Sequence, residues 1–269
     1  MKYTSALAAA ALAVSFAAAP AQASTIVGGF SGNTLAPNDD GSTGLVNIGF
    51  TFNFFGQNYT QLYVNNNGNV TFDSPLASFT PFPLLTTSRV IIAPFFADVD
   101  TRAVPTNGSQ PVTYGTGTFA GQAAFGVNWI NVGYFSNQTV PLNSFQLLLV
   151  DRSDIAAGDA DIYFNYGQIL WETGSASGGG AGGLGGSSAR VGYSNGDDTA
   201  FELAGSAVNG AFLDGGPNAL ISGSNIGEPG RYVFQVRGGE VIGVPEPASL
   251  ALLGMGLLGL GFARSRRRG

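Results

Sequence analysis

The chain is 269 residues long and carries 17 Asp and Glu against 11 Lys and Arg, a formal net charge of −6, with no Cys and no His. Its single Lys stands at position 2, so the rest of the chain has no side chains for a Ser-His-Asp or Cys-His nucleophile, a Schiff-base lysine or a zinc site with nitrogen and sulfur ligands. The acidic balance also excludes nucleic acid as a partner, because phosphates demand a basic footprint.

The chain opens with Met1-Lys2-Tyr3, an apolar run from Ala6 to Ala19 and the small-residue stretch Pro20-Ala21-Gln22-Ala23. That order reads as a secretory signal peptide over residues 1–23, with cleavage between Ala23 and Ser24. Residues 24–243 then form one domain of roughly 220 residues, enough for a core of its own. With no Cys, its stability in an oxidising compartment comes from packing.

Val46, Ile48, Phe50, Phe52 and Phe54 alternate with smaller or polar residues, the period of a strand with one buried face. Tyr59–Val64 and Val70–Phe72 follow, joined by Asn65-Asn66-Asn67-Gly68-Asn69, and the Asn-Gly pair predicts a hairpin. Val90–Phe96 is apolar on both faces and predicts a central strand that Pro94 ends. Further strands are predicted at 123–132, 145–150, 160–166, 189–193, 201–203 and 231–237, and stretches 75–85 and 206–219 have room for a short helix. Gly174–Ser188 has neither the Lys nor the following helix of a phosphate loop, and reads as a mobile loop. Many short strands between turn signals predict an all-β fold, a single antiparallel sandwich or barrel-like domain, with the two left open.

Residues 244–269 form a separate tail. Val244-Pro245-Glu246-Pro247-Ala248-Ser249 precedes the uncharged run Leu250–Ala263 and then Arg264, Arg266, Arg267 and Arg268. The predicted helix, 248–263, is shorter than the ~20 apolar residues of an ordinary membrane span, which implies a thin or transient anchor. The arginines stay on the cytoplasmic side and place the domain outside.

Few residues in this composition can carry chemistry. Asp98 and Asp100, two apart after a buried strand, are a candidate calcium pair, with Asp39, Asp40 or the group Asp151, Asp154, Asp159 and Asp161 as further oxygen donors. Against that, Asp98 or Asp100 can pair with Arg102 or cap a turn. Glu172 and Glu202 are a conceivable glycosidase pair, with ordinary surface carboxylates as the plainer reading. Trp129, Tyr134, Trp171 and Tyr193 could stack on sugar rings, although core packing is the commoner fate of tryptophan. Asn58, Asn69, Asn107 and Asn137 begin Asn-x-Ser/Thr triplets of the kind that arise by chance. No catalytic residue or cofactor other than calcium is expected.

Two stretches resemble known families. Asn53-Phe54-Phe55-Gly56-Gln57-Asn58-Tyr59, Leu62-Tyr63-Val64-Asn65-Asn66-Asn67-Gly68, the run from Ile92 to Thr101, Phe145-Gln146-Leu147, Phe164-Asn165-Tyr166-Gly167, Trp171 and Ala189-Arg190-Val191-Gly192-Tyr193 together resemble the nidogen-like (NIDO) extracellular domain over residues 45–203. Pro229–Arg237 is similar to the closing strand of bacterial versions. The tail resembles the PEP-CTERM sorting signal, with Pro245, Glu246 and Pro247 as the motif. These resemblances imply export through the inner membrane to the cell envelope surface or the extracellular matrix, and an exosortase-type enzyme as one partner. Matrix polymer or surface proteins are the other expected partners, with the membrane contacted through the tail. A non-enzymatic role in cell–matrix adhesion or biofilm matrix is the expected function, with a lectin-like carbohydrate-binding module as the alternative.

Overall fold

The computed structural model describes residues 25–103 and 108–242. The predicted signal peptide, its cleavage site at Ala23 and Ser24, and the predicted membrane helix at 248–263 lie outside those residues. Among the described residues no helix is long and apolar enough to cross a membrane.

The strands in chain order are β1 (Asn33–Thr34), β2 (Val46–Phe54), β3 (Gln57–Asn65), β4 (Asn69–Thr71), β5 (Val90–Phe96), β6 (Val99–Asp100) and β7 (Thr113–Phe119). They continue with β8 (Gln122–Tyr134), β9 (Gln138–Asp151), β10 (Ala160–Gln168), β11 (Arg190–Asn195), β12 (Ala200–Glu202), β13 (Arg231–Arg237) and β14 (Glu240–Ile242). One sheet runs β1-β7-β8-β9-β10-β13-β14 with β6 also on β8, and the second runs β12-β11-β5-β4-β3-β2. Every strand pairing is antiparallel, and the two sheets pack as a sandwich, which decides between the two architectures that the strand pattern allowed.

The alternation in β2 survives folding: Ile48, Phe52 and Phe54 are buried while Asn47, Gly49 and Thr51 face solvent. Their rings and side chains enter the main core between the sheets, with Trp129, Phe145 and Trp171 opposite, and Trp129 stacks on Phe145 at 5.1 Å. β5 is buried on both faces, as its composition predicts. Ile92 and Phe95 point into the main core, whereas Ile91, Ala93 and Phe96 join Leu76 and Leu84 in a second cluster on the outer face. A third cluster lies on the outside of the larger sheet, where Phe30 of the N-terminal arm packs on Ala124, Leu148 and Val150.

Four expectations are corrected. Pro94 does not end its strand: the register between β5 and β11 shifts between Ala93 and Phe96, so Pro94 sits in a bulge where no ladder N–H is needed, and its carbonyl accepts the buried Tyr166 hydroxyl at 2.7 Å. Neither 75–85 nor 206–219 forms an α-helix; a single 3-10 turn spans Leu84–Thr86, and 206–219 is a series of turns. Residues 174–188 are a hydrogen-bonded coil rather than a loose loop. The N–H groups of Glu172 and Thr173 both donate to the Gly183 carbonyl, and Ser187 donates to Ser177. Gly183 takes φ +71° against the Trp171 side chain, where a Cβ would stand 2.5 Å from the Trp171 Cβ. Finally, the sequence pattern does not reveal β1, β6, β7 and β14, and β8 and β9 run longer than it predicts.

Candidate functional site

The chemistry-bearing residues meet at the turn between β3 and β4. Asn65 pairs with Asn69, leaving Asn66, Asn67 and Gly68 as the loop, and Gly68 alone takes the left-handed conformation at φ +75°. A side chain at Gly68 would collide with the Phe95 carbonyl, so the turn lies directly on β5. The turn is fully buried in spite of its four asparagines, because each has partners. The Asn66 amide donates to the carbonyls of Asp39 and Val99, both at 2.6 Å, and the Asn66 carbonyl accepts the Trp129 indole N–H at 3.0 Å. Asn67 Oδ1 accepts the Val99 N–H at 2.9 Å, and its Nδ2 donates to Asp40 Oδ1 at 2.9 Å. Thr101 adds a two-way contact with the arm, accepting the Asn38 N–H and donating its hydroxyl to the Asn38 carbonyl, each at 2.9 Å.

The turn therefore holds the N-terminal arm against the segment after β5. The result is a group of three carboxylates, Asp39, Asp40 and Asp98, with oxygens within 4.8 Å of one another. Like charges this close oppose one another's ionisation, and burial adds to the effect. The Asp98 carboxyl is pushed up to about 7, first by burial and then by the Asp39 and Asp40 charges. Asp39 is pushed up to about 6 by burial and the Asp100 and Asp40 charges, against the pull of Arg102. The Ser177 hydroxyl, from the glycine-rich coil, lies 3.4 Å from Asp98 Oδ2. The Oδ1 atoms of Asp39 and Asp98 are buried and accept no hydrogen bond.

Asp100, predicted as the partner of Asp98 in a calcium pair, is not a member of this group. Its Oδ1 accepts Arg102 Nε at 2.9 Å and its Oδ2 accepts Arg102 Nη2 at 2.7 Å and the Asn137 N–H at 2.9 Å. Burial raises the Asp100 carboxyl, but those donors outweigh it and hold it below the ordinary carboxylate range. The same guanidinium reaches Asp39 Oδ2 at 3.1 Å, so Arg102 links the two acids.

The other candidates are spread over the sandwich in structural roles. Asp154 and Asp161 pair with Arg152, Asp161 also pairs with Arg237 at 2.6 Å, and Asp159 accepts the Gly238 N–H. Asp151 accepts the backbone and hydroxyl of Ser153. Glu172 and Glu202, read as surface carboxylates or a glycosidase pair, each hold a neighbouring segment in place. Glu172 is fully buried and accepts the N–H groups of Gly210 and Phe212, while Glu202 pairs with Arg190 and accepts the Leu84 N–H. Trp129, Trp171, Tyr134 and Tyr193 are all buried and offer no ring face to a sugar. Of the Asn-x-Ser/Thr asparagines, Asn69 is buried, Asn58 and Asn137 are exposed, and Asn107 lies outside the described residues. The residues that the sequence reading missed are Asn66, Asn67 and Ser177; the unbroken asparagine run was the available signal.

The profile of the nidogen-like domain family matches residues 60–238, and that of the PEP-CTERM protein-sorting motif matches residues 243–268. Alpha-tectorin of Homo sapiens is 34% identical over 230 residues, which cover 76% of this chain and 10% of that protein. Alpha-tectorin of Gallus gallus is 32% identical over 237 residues, covering 80% of this chain and 10% of that protein. Nidogen of Drosophila melanogaster is 29% identical over 228 residues, covering 75% of this chain and 16% of that protein. The chain thus spans about a tenth of the length of the tectorins it matches. No solved structure matches it.

Proposed function

The chain belongs to the nidogen-like domain family, and from that membership we propose that it is a non-enzymatic adhesion or matrix protein whose β-sandwich binds extracellular polymer or other surface proteins. Its sorting motif places it among proteins exported to the cell envelope surface or the extracellular matrix. The supporting observation is the pairing of that motif with a nidogen-like domain in one chain. The absence of Lys, His and Cys from the domain agrees with a binding role, as does the commitment of Glu172 and Glu202 to backbone and arginine partners. With Trp129, Trp171, Tyr134 and Tyr193 inside the core, no observation favours the lectin reading over adhesion.

In this reading residues 1–23 are removed at Ala23 and Ser24, 24–243 is the binding domain, and 244–269 is the sorting tail. Pro245, Glu246 and Pro247 are the recognition element, because two prolines hold the segment extended where a sorting enzyme can reach it. The test is replacement of all three by alanine in the host, followed by fractionation into membrane, surface and matrix. The variant is expected to stay with the membrane and to leave the matrix fraction, and unchanged display overturns the assignment. For the binding role, isolated host matrix should capture the displayed wild-type protein without any breakdown of its polysaccharide. New reducing ends on prolonged incubation would sink the non-enzymatic reading.

A further inference from the structure

Asp39 and Asp40 lie in the N-terminal arm and Asp98 directly after β5, and folding brings their carboxylates within 4.8 Å. Acidic side chains gather on many surfaces without a ligand, but two features set this group apart. Asp98 is only 1% exposed, and its Oδ1 has no hydrogen-bond donor; Asp39 Oδ1 is likewise buried and without one. Buried carboxylate oxygens ordinarily find donors, so unmet ones within a close group of three carboxylates call for a cation. The nearby Arg102 does not meet the need, because its guanidinium is shared with Asp100 and reaches only Asp39 Oδ2. Asn67 and Ser177 each serve a single oxygen, on Asp40 and Asp98.

We propose that Asp39, Asp40 and Asp98 bind one calcium ion that fastens the N-terminal arm to the segment after β5. The donor set is oxygen only, which suits a hard cation rather than zinc or copper. Calcium tolerates irregular sets of carboxylates from separate segments completed by water, whereas magnesium demands near-octahedral geometry. With three carboxylates, each already partnered on one oxygen, the affinity falls in the range of extracellular calcium modules, about 10⁻⁴ to 10⁻³ M. The proposal goes beyond the adhesion reading and stands independently of what the sandwich grips.

The test is calorimetric titration of calcium chloride into the EGTA-washed full chain, with thermal unfolding in calcium, in magnesium and in EGTA. One site per chain and a higher midpoint in calcium than in equimolar magnesium are expected. Asp98→Asn and Asp40→Asn should each weaken binding tenfold or more. In EGTA, Asp98→Asn should unfold at or above the wild-type midpoint, since a repelling charge is gone; this separates loss of the site from loss of the fold. Asp151→Asn, outside the group, should bind as the wild type does. The proposal is overturned by a wild-type midpoint that ignores calcium, by an equal response to magnesium, or by wild-type affinity in Asp98→Asn.

Discussion

Glu172 shows how a single buried charge is kept in this domain. Its Oε2 accepts the Gly210 N–H at 2.7 Å and its Oε1 accepts the Phe212 N–H at 2.6 Å, so one side chain anchors the turns that follow β12. Burial raises its carboxyl and the two N–H donors act against that. Glu172→Gln preserves the shape but points an NH₂ at one of the donors. A loss of about 1–3 kcal/mol is expected, read as a lower urea midpoint at unchanged slope. The sequence shows Glu172 only as an isolated acid, because the N–H groups it serves lie far along the chain. Asp98 stands out more plainly in the sequence, as an acid close after an apolar strand. Its true neighbours are Asp39 and Asp40 rather than Asp100, and that exchange follows from the arm folding back over the asparagine turn. Local spacing does not encode such a contact.

At the level of elements, the strands that the sequence reveals are those with a one-sided or two-sided apolar pattern. β2 alternates and β5 is apolar throughout, and both stand where predicted. β7, Thr-Tyr-Gly-Thr-Gly-Thr-Phe, has no such pattern, since its glycines weaken any strand signal and only Gly115 within it is buried. The first half of β9 is similarly polar and partly exposed. The glycine-rich coil misleads for a related reason: glycine signals freedom in a linker, yet here it permits close approach. Gly183→Ala would press a methyl group on Trp171 and the Tyr134 ring in a left-handed backbone conformation. The expected cost is at least ~1 kcal/mol, accompanied by a change in tryptophan fluorescence of the native state. An unchanged emission spectrum and an unchanged midpoint would return the coil to the status of a linker.

As a whole, the molecule is a disulfide-free sandwich, and the last strand among the described residues is followed in the sequence by the sorting motif. β14 ends at Ile242, pairs among the described residues only with β13, and is followed in the sequence by the motif at 243–268. If the tail were held and the sandwich bound, as proposed, tension would enter the fold at Ile242. β14 would open like a zip, one residue pair at a time, releasing roughly 3.3–3.6 Å of chain per residue. The pull would then meet the end of β13, where Arg237 bonds the Ala160 carbonyl and Asp161, and Asp159 accepts the Gly238 N–H. At the same corner the Gly239 carbonyl accepts the Phe55 N–H at 2.6 Å, so the second sheet shares the load. In single-molecule pulling from the C-terminus, a short early extension followed by a firmer plateau is expected, with the plateau lowered in Arg237→Met. Under such a load the edge hairpin would act as a shock absorber, yielding a little chain before the rest of the sandwich is strained.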